Sequence, residues 1–379
     1  MPVEPEPSIA YPPADVPPVD LERFVALRDF EEPARDRIHP VAWAYIDRGA
    51  EDQRTFAHEQ ESWDGFRLRP RVLVDVSDVR LDSTILGRRV SMPVGIAPAA
   101  LHGLCHADSE LATARAAASA GVPMVLSTLS SRSLEAVAAA APEARRWFQL
   151  YVQAAPDQAR SLVERAAVAG YEAIVLTVDV PLLGYRDDVL RDRFNPGPEA
   201  FGNLEPSGGR VAATELDNVI EARSAPLTWE SLAEIRSWSP LPLVLKGVLT
   251  PEDARLAVEH GVDAVWVSTH GGRQLDRVVT GVEAIEAVLG AVNRRAEVYL
   301  DGGIRRGTQV VIALALGARA VFTARPFLWA LACAGQPGVE KALSILGDEV
   351  SRAMSLLGAP TVDGVRRDHV ATRVDWPRA

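Results

Sequence analysis

Residues 267–276 read VSTHGGRQLD: an apolar stretch ends, and His270 and Arg273 follow three positions apart on a Gly271–Gly272 turn. A histidine titrates near neutrality and can accept a proton from a bound substrate. An arginine presents a planar fork that matches a carboxylate, a charge-assisted pair stronger than a neutral hydrogen bond. The two glycines permit close backbone approach and unusual dihedrals. A base and an anion clamp on one turn would suit proton removal from a small acid. The same ten residues also read as a surface turn closed by a capping acid, and taken alone they favour that plainer reading.

Other stretches carry related chemistry. DGGIRRG (301–307) and TARP (323–326) place glycines, a helix start and the arginines 305 and 325 together, which makes an anion cradle of backbone N–H groups and fixed cations. A glycine turn without a ligand is the alternative there. Lys246 ends the apolar run PLVLKG, a costly place for a cation unless it faces an anion or an electron-rich ring. It suits either a Schiff base or the stabilisation of negative charge on a cofactor. FQLYV (148–152) and LTVD (176–179) bring Gln149, Tyr151, Thr177 and Asp179 to strand ends. Gln and Thr can hydrogen-bond a heteroaromatic ring, Tyr offers a hydroxyl to a substrate, and Asp can orient and charge-balance a histidine. His102, His106 and His260 read as packing or surface residues. The His-x-x-x-His pair at 102–106 has no acidic third ligand beside it, so no metal is expected.

These residues need a scaffold that converges strand ends. From residue 92 onward, short β-branched runs alternate with amphipathic helical segments. The strand candidates are 93–97, 123–127, 147–152, 173–179, 242–247, 264–268, 297–303 and 320–325. Helix candidates are 108–121, 156–170, 251–261 and 307–317, several of them with an early Asp, Ser or Pro and a closing Gly. Eight such units over this length fit a closed α/β architecture, the (β/α)8 TIM barrel, better than an open doubly wound sheet. Ser127, Tyr151, Asp179, Lys246, His270, Asp301 and Arg325 each stand at or just past a different strand end. A barrel brings those ends to one face.

Two segments break the alternation. Residues 20–91 form an N-terminal helical extension, expected to close the barrel bottom and edge. Residues 187–226 form a long loop after strand four, on the functional face, and read as a lid. The Pro-rich residues 1–19 read as a disordered or surface-draped arm ahead of a single barrel domain over 20–379.

Composition narrows the partners. A net charge of −11 argues against nucleic acid, which needs a basic face. No run of eighteen apolar residues marks a membrane span, and the N-terminus lacks the basic and apolar regions of an export signal. Cys105 and Cys333 are far apart and lack metal-type spacing, which predicts a reduced, cytoplasmic protein without disulfides.

The chain resembles the FMN-dependent (S)-2-hydroxy acid oxidases and dehydrogenases, the family of glycolate oxidase, lactate oxidase, lactate 2-monooxygenase, flavocytochrome b2 and mandelate dehydrogenase. The likeness runs from about residue 20 to 370. It rests on AYIDRGAED (44–52), IAPAA (96–100), LST (126–128), FQLYV, LTVD, LKG (245–247), HGGRQLD, DGGIRRG and ARP, in this order. The resemblance implies FMN as cofactor and His270 as the base, paired to Asp179. It implies that Arg273 and Tyr45 hold the substrate carboxylate, that Tyr151 meets the substrate hydroxyl, and that Arg186 approaches from the loop after strand four. Lys246 would stand by the flavin N1 and O2. Ser127, Gln149 and Thr177 would bond the ring, and the backbone at Pro98 and Ala99 would approach N5. Asp301, Gly303, Arg305, Ala324 and Arg325 would hold ribityl and phosphate.

Three positions depart from the family's wording. Thr269 stands where the family usually has Asn, and Ala324 where it usually has Gly. Leu129 replaces the tryptophan of the plant glycolate oxidases, a smaller apolar wall that would admit a larger 2-substituent. The resemblance implies oxidation of an (S)-2-hydroxy acid, lactate-like or mandelate-like, to the 2-oxo acid, with O2 as acceptor giving H2O2. A quinone or other acceptor is the alternative, as is the oxidative decarboxylation of a lactate 2-monooxygenase, whose branch LHGLCH…ELATARAAASAGVPMVLSTL also resembles. A homotetramer follows from the resemblance only.

Overall fold

Eight parallel strands close on one another: β1 (Val94–Ile96), β2 (Pro123–Leu126), β3 (Arg145–Leu150), β4 (Ile174–Thr177), β5 (Leu243–Val248), β6 (Ala264–Val267), β7 (Glu297–Leu300) and β8 (Ala320–Thr323). Each pairs with the next, and β8 returns to β1 with Thr323 opposite Ile96. The structure is a computed structural model and describes residues 19–152, 156–197, 200–204 and 227–372. Strands such as IVLT and AVWV are buried throughout, as parallel strands covered on both faces require.

Helices follow the strands: α3 (Ser109–Ala120), α4 (Leu134–Ala140), α5 (Pro156–Val168), α6 (Ser231–Ser237), α7 (Pro251–Glu259), α8 (Gly281–Val292), α9 (Gly307–Leu316) and α10 (Arg325–Leu357). Their ends obey local chemistry. Thr250 accepts from the Asp253 N–H and Pro251 opens α7. Gly121 (φ 66°) and Gly317 (φ 115°) close α3 and α9 in the left-handed region that glycine enters without strain.

Trp147, Trp266, Tyr299 and Phe322 fill the barrel interior, with Trp266 and Phe322 only 4.1 Å apart at their ring centroids. Burying each such ring contributes roughly 1.5–3 kcal/mol. A hairpin (Ser83–Ile85 with Arg88–Val90) packs Ile85 and Val90 onto this cluster. Its Leu86 N–H reaches Glu297 at the start of β7 and its Thr84 carbonyl accepts from Arg319, just before β8. The hairpin therefore covers the amino ends of the strands.

The N-terminal extension divides between the two ends. The hairpin closes the bottom as anticipated, but α1 (Pro40–Asp47) and α2 (Arg54–Glu61) lie at the carboxyl ends of the strands. What holds α2 there is Asp276, whose carboxylate accepts the Thr55 and Arg54 N–H groups at 2.7 and 3.1 Å. The capping acid of the opening stretch is thus real, but it caps a helix more than two hundred residues earlier.

The loop after β4 is long, as expected, and its described part is anchored. Phe194, Ala200, Phe201 and Asn203 are buried. Asn203 accepts from Leu134 N–H and donates to the Ser127 and Thr128 carbonyls. Residues 198–199 and 205–226 of the anticipated lid, and residues 1–18 of the anticipated arm, lie outside the described residues.

Candidate active site

One cavity opens at the carboxyl ends of the strands. Every residue that the sequence singled out for the site lines it, except Asp179, which sits behind His270. The cavity has three regions: a base, an anion clamp and a long polar cradle.

His270 follows β6 in the left-handed conformation, φ 58°, a strained state for a residue with a side chain. Its own N–H donates to Ser268 Oγ at 3.0 Å, which helps hold that geometry. Asp179, just past β4, brings Oδ1 to 3.0 Å from His270 Nδ1, and Tyr151 after β3 brings its hydroxyl to 3.4 Å from Nε2. An Nδ1–H donated to the carboxylate leaves Nε2 as acceptor, facing the cavity. Burial lowers the imidazole from its usual range. Asp179 pulls it up, and Lys246 and Arg186 press it down again, so the ring is a neutral base near pH 7. Burial alone would raise Asp179, but His270 and Lys246 outweigh it and keep the carboxyl below its usual value.

Arg273 comes from the same turn. Its Nη1 donates to the carbonyls of Tyr45 (2.5 Å), Ile46 (3.3 Å) and Arg48 (3.2 Å), at the open C-terminal end of α1. Its guanidinium also lies 5.0 Å from the Tyr45 ring centroid. Tyr45 in turn stacks on Phe194 from the loop after β4, at 4.3 Å and 7° between planes. Arg186 donates from Nε to the Arg273 carbonyl at 3.1 Å and from Nη2 to Gln274 Oε1 at 3.3 Å. Two guanidinium groups, two phenols and an imidazole thus face one small volume, with Leu129 and Leu183 as its apolar wall. Burial raises the Tyr151 hydroxyl, with Asp179 adding to it, so it stays protonated and can donate.

The cradle runs from Lys246 to Arg325. Lys246 is buried in β5, donates to Ser268 Oγ at 2.8 Å and lies 3.4 Å from Asp301 Oδ2. Ser127 Oγ donates to Gln149 Oε1 at 3.2 Å, while Thr128 pins the Gln149 backbone. Thr177, Pro98 and Ala99 complete this wall. Beyond Asp301, Gly302 (φ 104°) and Gly303 (φ 66°) turn the backbone, and Arg305 and Arg325 stand at the far end. Arg325 donates to the Ile46 and Gly271 carbonyls at 3.2 and 2.9 Å. Burial and the neighbouring Arg273 lower Arg325 to about 9, the mark of a crowded cationic end.

Two buried side-chain atoms lining the cradle lack any partner: the donor Gln149 Nε2 and the acceptor Asp301 Oδ1. Unsatisfied buried polar atoms are rare, because each costs about 1–3 kcal/mol. Together with the cationic end they fit a ligand that has a hydrogen-bonding ring at one end, hydroxyls in the middle and an anion at the other. FMN has that make-up.

Two of the three flagged departures, Ala324 and Thr269, have local accounts. Ala324 takes φ −117°, where a Cβ meets no strain, so glycine is not required. Thr269 is buried and donates to Glu59 Oε1 at 2.5 Å, and its own Oγ1 accepts the Gly272 N–H at 3.1 Å. Glu59, Ser268, Gln274, Phe194 and Asp47, whose carboxylate lies 3.9 Å from Arg325 Nε, support the site and were missed from sequence. Only Ser268 and Gln274, inside the VSTHGGRQLD stretch, had a signal that pointed to them.

Comparison with known proteins points to the same cofactor. A family model described as FMN-dependent dehydrogenase matches residues 34–372. The chain is 43% identical over 351 residues to an L-lactate oxidase of Nostoc sp., covering 90% of this chain and 96% of that protein. It is 41% identical over 351 residues to 2-hydroxyacid oxidase 1 of Mus musculus, covering 90% and 95%. Among solved structures, a mandelate oxidase with (S)-4-hydroxymandelic acid superposes with a TM-score of 0.87 at 41% identity, covering 92% of this chain and 99% of that one.

Proposed function

We propose a function from one premise: the chain belongs to the family of FMN-dependent dehydrogenases. It is an oxidoreductase that uses FMN to oxidise 2-hydroxy acids to 2-oxo acids. The finer reading is that it takes an (S)-2-hydroxy acid with a side chain larger than that of glycolate, and passes electrons to O2 to give H2O2. Its similarity to lactate, 2-hydroxyacid and mandelate oxidases supports O2.

In this reading Ser127, Gln149, Thr177, Lys246, Pro98 and Ala99 hold the flavin ring, and Asp301, Gly303, Arg305, Ala324 and Arg325 hold ribityl and phosphate. FMN, when bound, supplies the two-electron acceptor. The rest is done by the chain. Arg273 and Tyr45 bind the substrate carboxylate, with Arg186 as a second cation beside it. The planar fork of Arg273, braced on three carbonyls, fixes the orientation of the acid before reaction. Tyr151 donates to the substrate hydroxyl. His270 Nε2 accepts the proton that leaves the substrate, and Asp179 stabilises the imidazolium that forms. Lys246 would supply positive charge beside the flavin ring.

The observation that carries this reading is the Asp179–His270–Tyr151 line, 3.0 and 3.4 Å, in the same cavity as Arg273 and the two unsatisfied cradle atoms. Anaerobic mixing of the yellow holoprotein with a panel of 2-hydroxy acids tests it. Bleaching by (S) acids, and one H2O2 per acid on readmission of O2, is expected. A flavin that no 2-hydroxy acid reduces would reject the reading, and loss of CO2 from the acid would redirect it to oxidative decarboxylation.

Residues 187–226 belong to the proposal as a lid, of which residues 198–199 and 205–226 lie outside the described residues. Among the described residues no helix is long and apolar enough to cross a membrane. A cytoplasmic location and a homotetramer are also proposed. The buried, unpaired cysteines Cys105 and Cys333 support the first, and family resemblance alone supports the second. Sedimentation of the holoprotein tests the assembly.

A further inference from the structure

Glu59 touches both halves of the site without lining it. The residue sits near the end of α2 and is 4% exposed. Its Oε1 accepts from the Thr269 hydroxyl at 2.5 Å, and that hydroxyl accepts the Gly272 N–H, so the carboxylate holds the turn that presents His270. On the other side, a Cβ placed on Gly302 would fall on the Glu59 carboxylate, and one on Gly303 would fall on the Glu59 carbonyl. Trp63, one turn beyond, donates from Nε1 to the Gly302 carbonyl at 3.3 Å. The cradle turn is therefore moulded on the end of α2, with no room between them. The Gly281 N–H, at the amino end of α8, also faces the carboxylate.

The hydroxyl and the amide are both donors and need acceptor oxygens, which the Glu59 carboxyl offers. An amide in its place would point its NH2 at one of the two. Asp301, Arg305 and Arg325 are the charged groups that face Glu59 from the cradle.

We propose that Glu59 is a positioning residue that couples cofactor binding to base placement, holding the His270 turn through Thr269 and the Gly302–Gly303 turn by direct packing. This rests on the reading of His270 as base and of the glycine turn as cofactor cradle. Thr269 is the arm that reaches the base turn alone, so the two functions separate by mutation.

The test uses three variants and two readouts: FMN dissociation from a fluorescence titration of apoprotein, and the anaerobic reduction rate of the FMN-saturated protein. Removing a buried hydrogen bond to a charged group is worth roughly tenfold or more. Thr269→Val should lower the reduction rate about that much, leave KM for the acid and FMN affinity close to wild type, and be rescued by Thr269→Ser. Glu59→Ala should lower the rate and also loosen FMN by roughly tenfold or more. The double variant should reduce no more slowly than Glu59→Ala.

Wild-type reduction rates from Thr269→Val would overturn the proposal, even if Glu59→Ala does not fold. So would a Glu59→Ala protein with altered melting temperature alone. A wild-type protein that binds no FMN, or is not reduced, would instead sink the underlying functional reading.

Discussion

Asp179 Oδ1 and His270 Nδ1 lie 3.0 Å apart, joining the end of β4 to the turn after β6. The pair fixes which ring nitrogen carries the proton and so which one is free to take another. Because Asp179 is held ionised by His270 and Lys246, it can balance the imidazolium once a proton arrives. Replacing the base removes the acceptor altogether. His270→Ala should leave FMN bound and slow its reduction by about 10²–10⁴. Stopped-flow absorbance under anaerobic conditions measures this, and normal reduction would show that another group is the base.

The pH profile follows from the same pair, with the sign set by its neighbours. Burial, Lys246 and Arg186 all lower His270 from its usual 6.5, and Asp179 opposes them. With His270 as the proposed base, the neutral ring is the active form, so kcat/KM should fall on the acid side, with a limb below pH 6.5. Arg186→Leu removes one cation and should move that limb to higher pH. Asp179→Asn removes the opposing anion and should move it lower, besides slowing reduction. Limbs that stay in place in both variants would detach the profile from His270.

Arg273→Lys tests the clamp. A lysine cannot donate to the Tyr45, Ile46 and Arg48 carbonyls and also offer a two-pronged face to the acid. The loss of one charge-assisted pair is worth about 1.5–3 kcal/mol. KM for the 2-hydroxy acid and Kd for the 2-oxo acid product should both rise roughly ten- to a hundredfold, which follows from that energy. An unchanged product Kd would place the carboxylate elsewhere.

Glu59 should leave a mark on stability as well as on the site. Burial raises it from 4.5 to about 7, with the Thr269 hydrogen bond opposing and Asp301 adding. Folding therefore favours its neutral form. The contribution is fully present below pH 4.5 and is lost as pH rises to about 7, a change of roughly 3 kcal/mol. Glu59→Gln lacks the titration, so its unfolding free energy should fall less than that of wild type across this window. Urea unfolding of the apoprotein at several pH values checks this, and parallel curves would refute it.

The sequence showed the residues that carry local punctuation and hid those that act across the fold. His270, Lys246 and Asp301 were legible because a polar residue at the end of an apolar run, beside glycine, is costly unless it has work to do. The eight strands were legible for the same reason, as short buried runs between capped helices. Glu59 was not, because its partner Thr269 is 210 positions away and an acid on a surface-like helix of low hydrophobicity reads as solvated. Asp276 looked like a local cap and is a distant one. Phe194 lies in a loop rich in Gly, Pro and charges, and nothing local says that it supports Tyr45. The placement of α1 and α2 over the catalytic face was also missed, since helical periodicity says which side of a helix is buried and not which end of a barrel buries it.

In the proposed reading, Leu129 sets how much of the acid can be accommodated. It follows β2, is 5% exposed and lines the cavity beside Tyr151 and Leu183. Its amide donates to Ser127 Oγ at 3.1 Å and its carbonyl accepts the Leu101 N–H at 3.1 Å, so the backbone is pinned and a larger side chain cannot retreat by moving it. A tryptophan there must take its extra volume from the substrate. Each methylene that fits or fails in an apolar pocket is worth about 1–3 kcal/mol, or roughly 10–200-fold. Leu129→Trp should therefore cut kcat/KM for mandelate at least tenfold relative to glycolate, while leaving FMN affinity unchanged. Leu129→Ala should shift the ratio the other way. Steady-state kinetics on the two acids measures both, and a ratio unmoved by either change would place the 2-substituent against another wall.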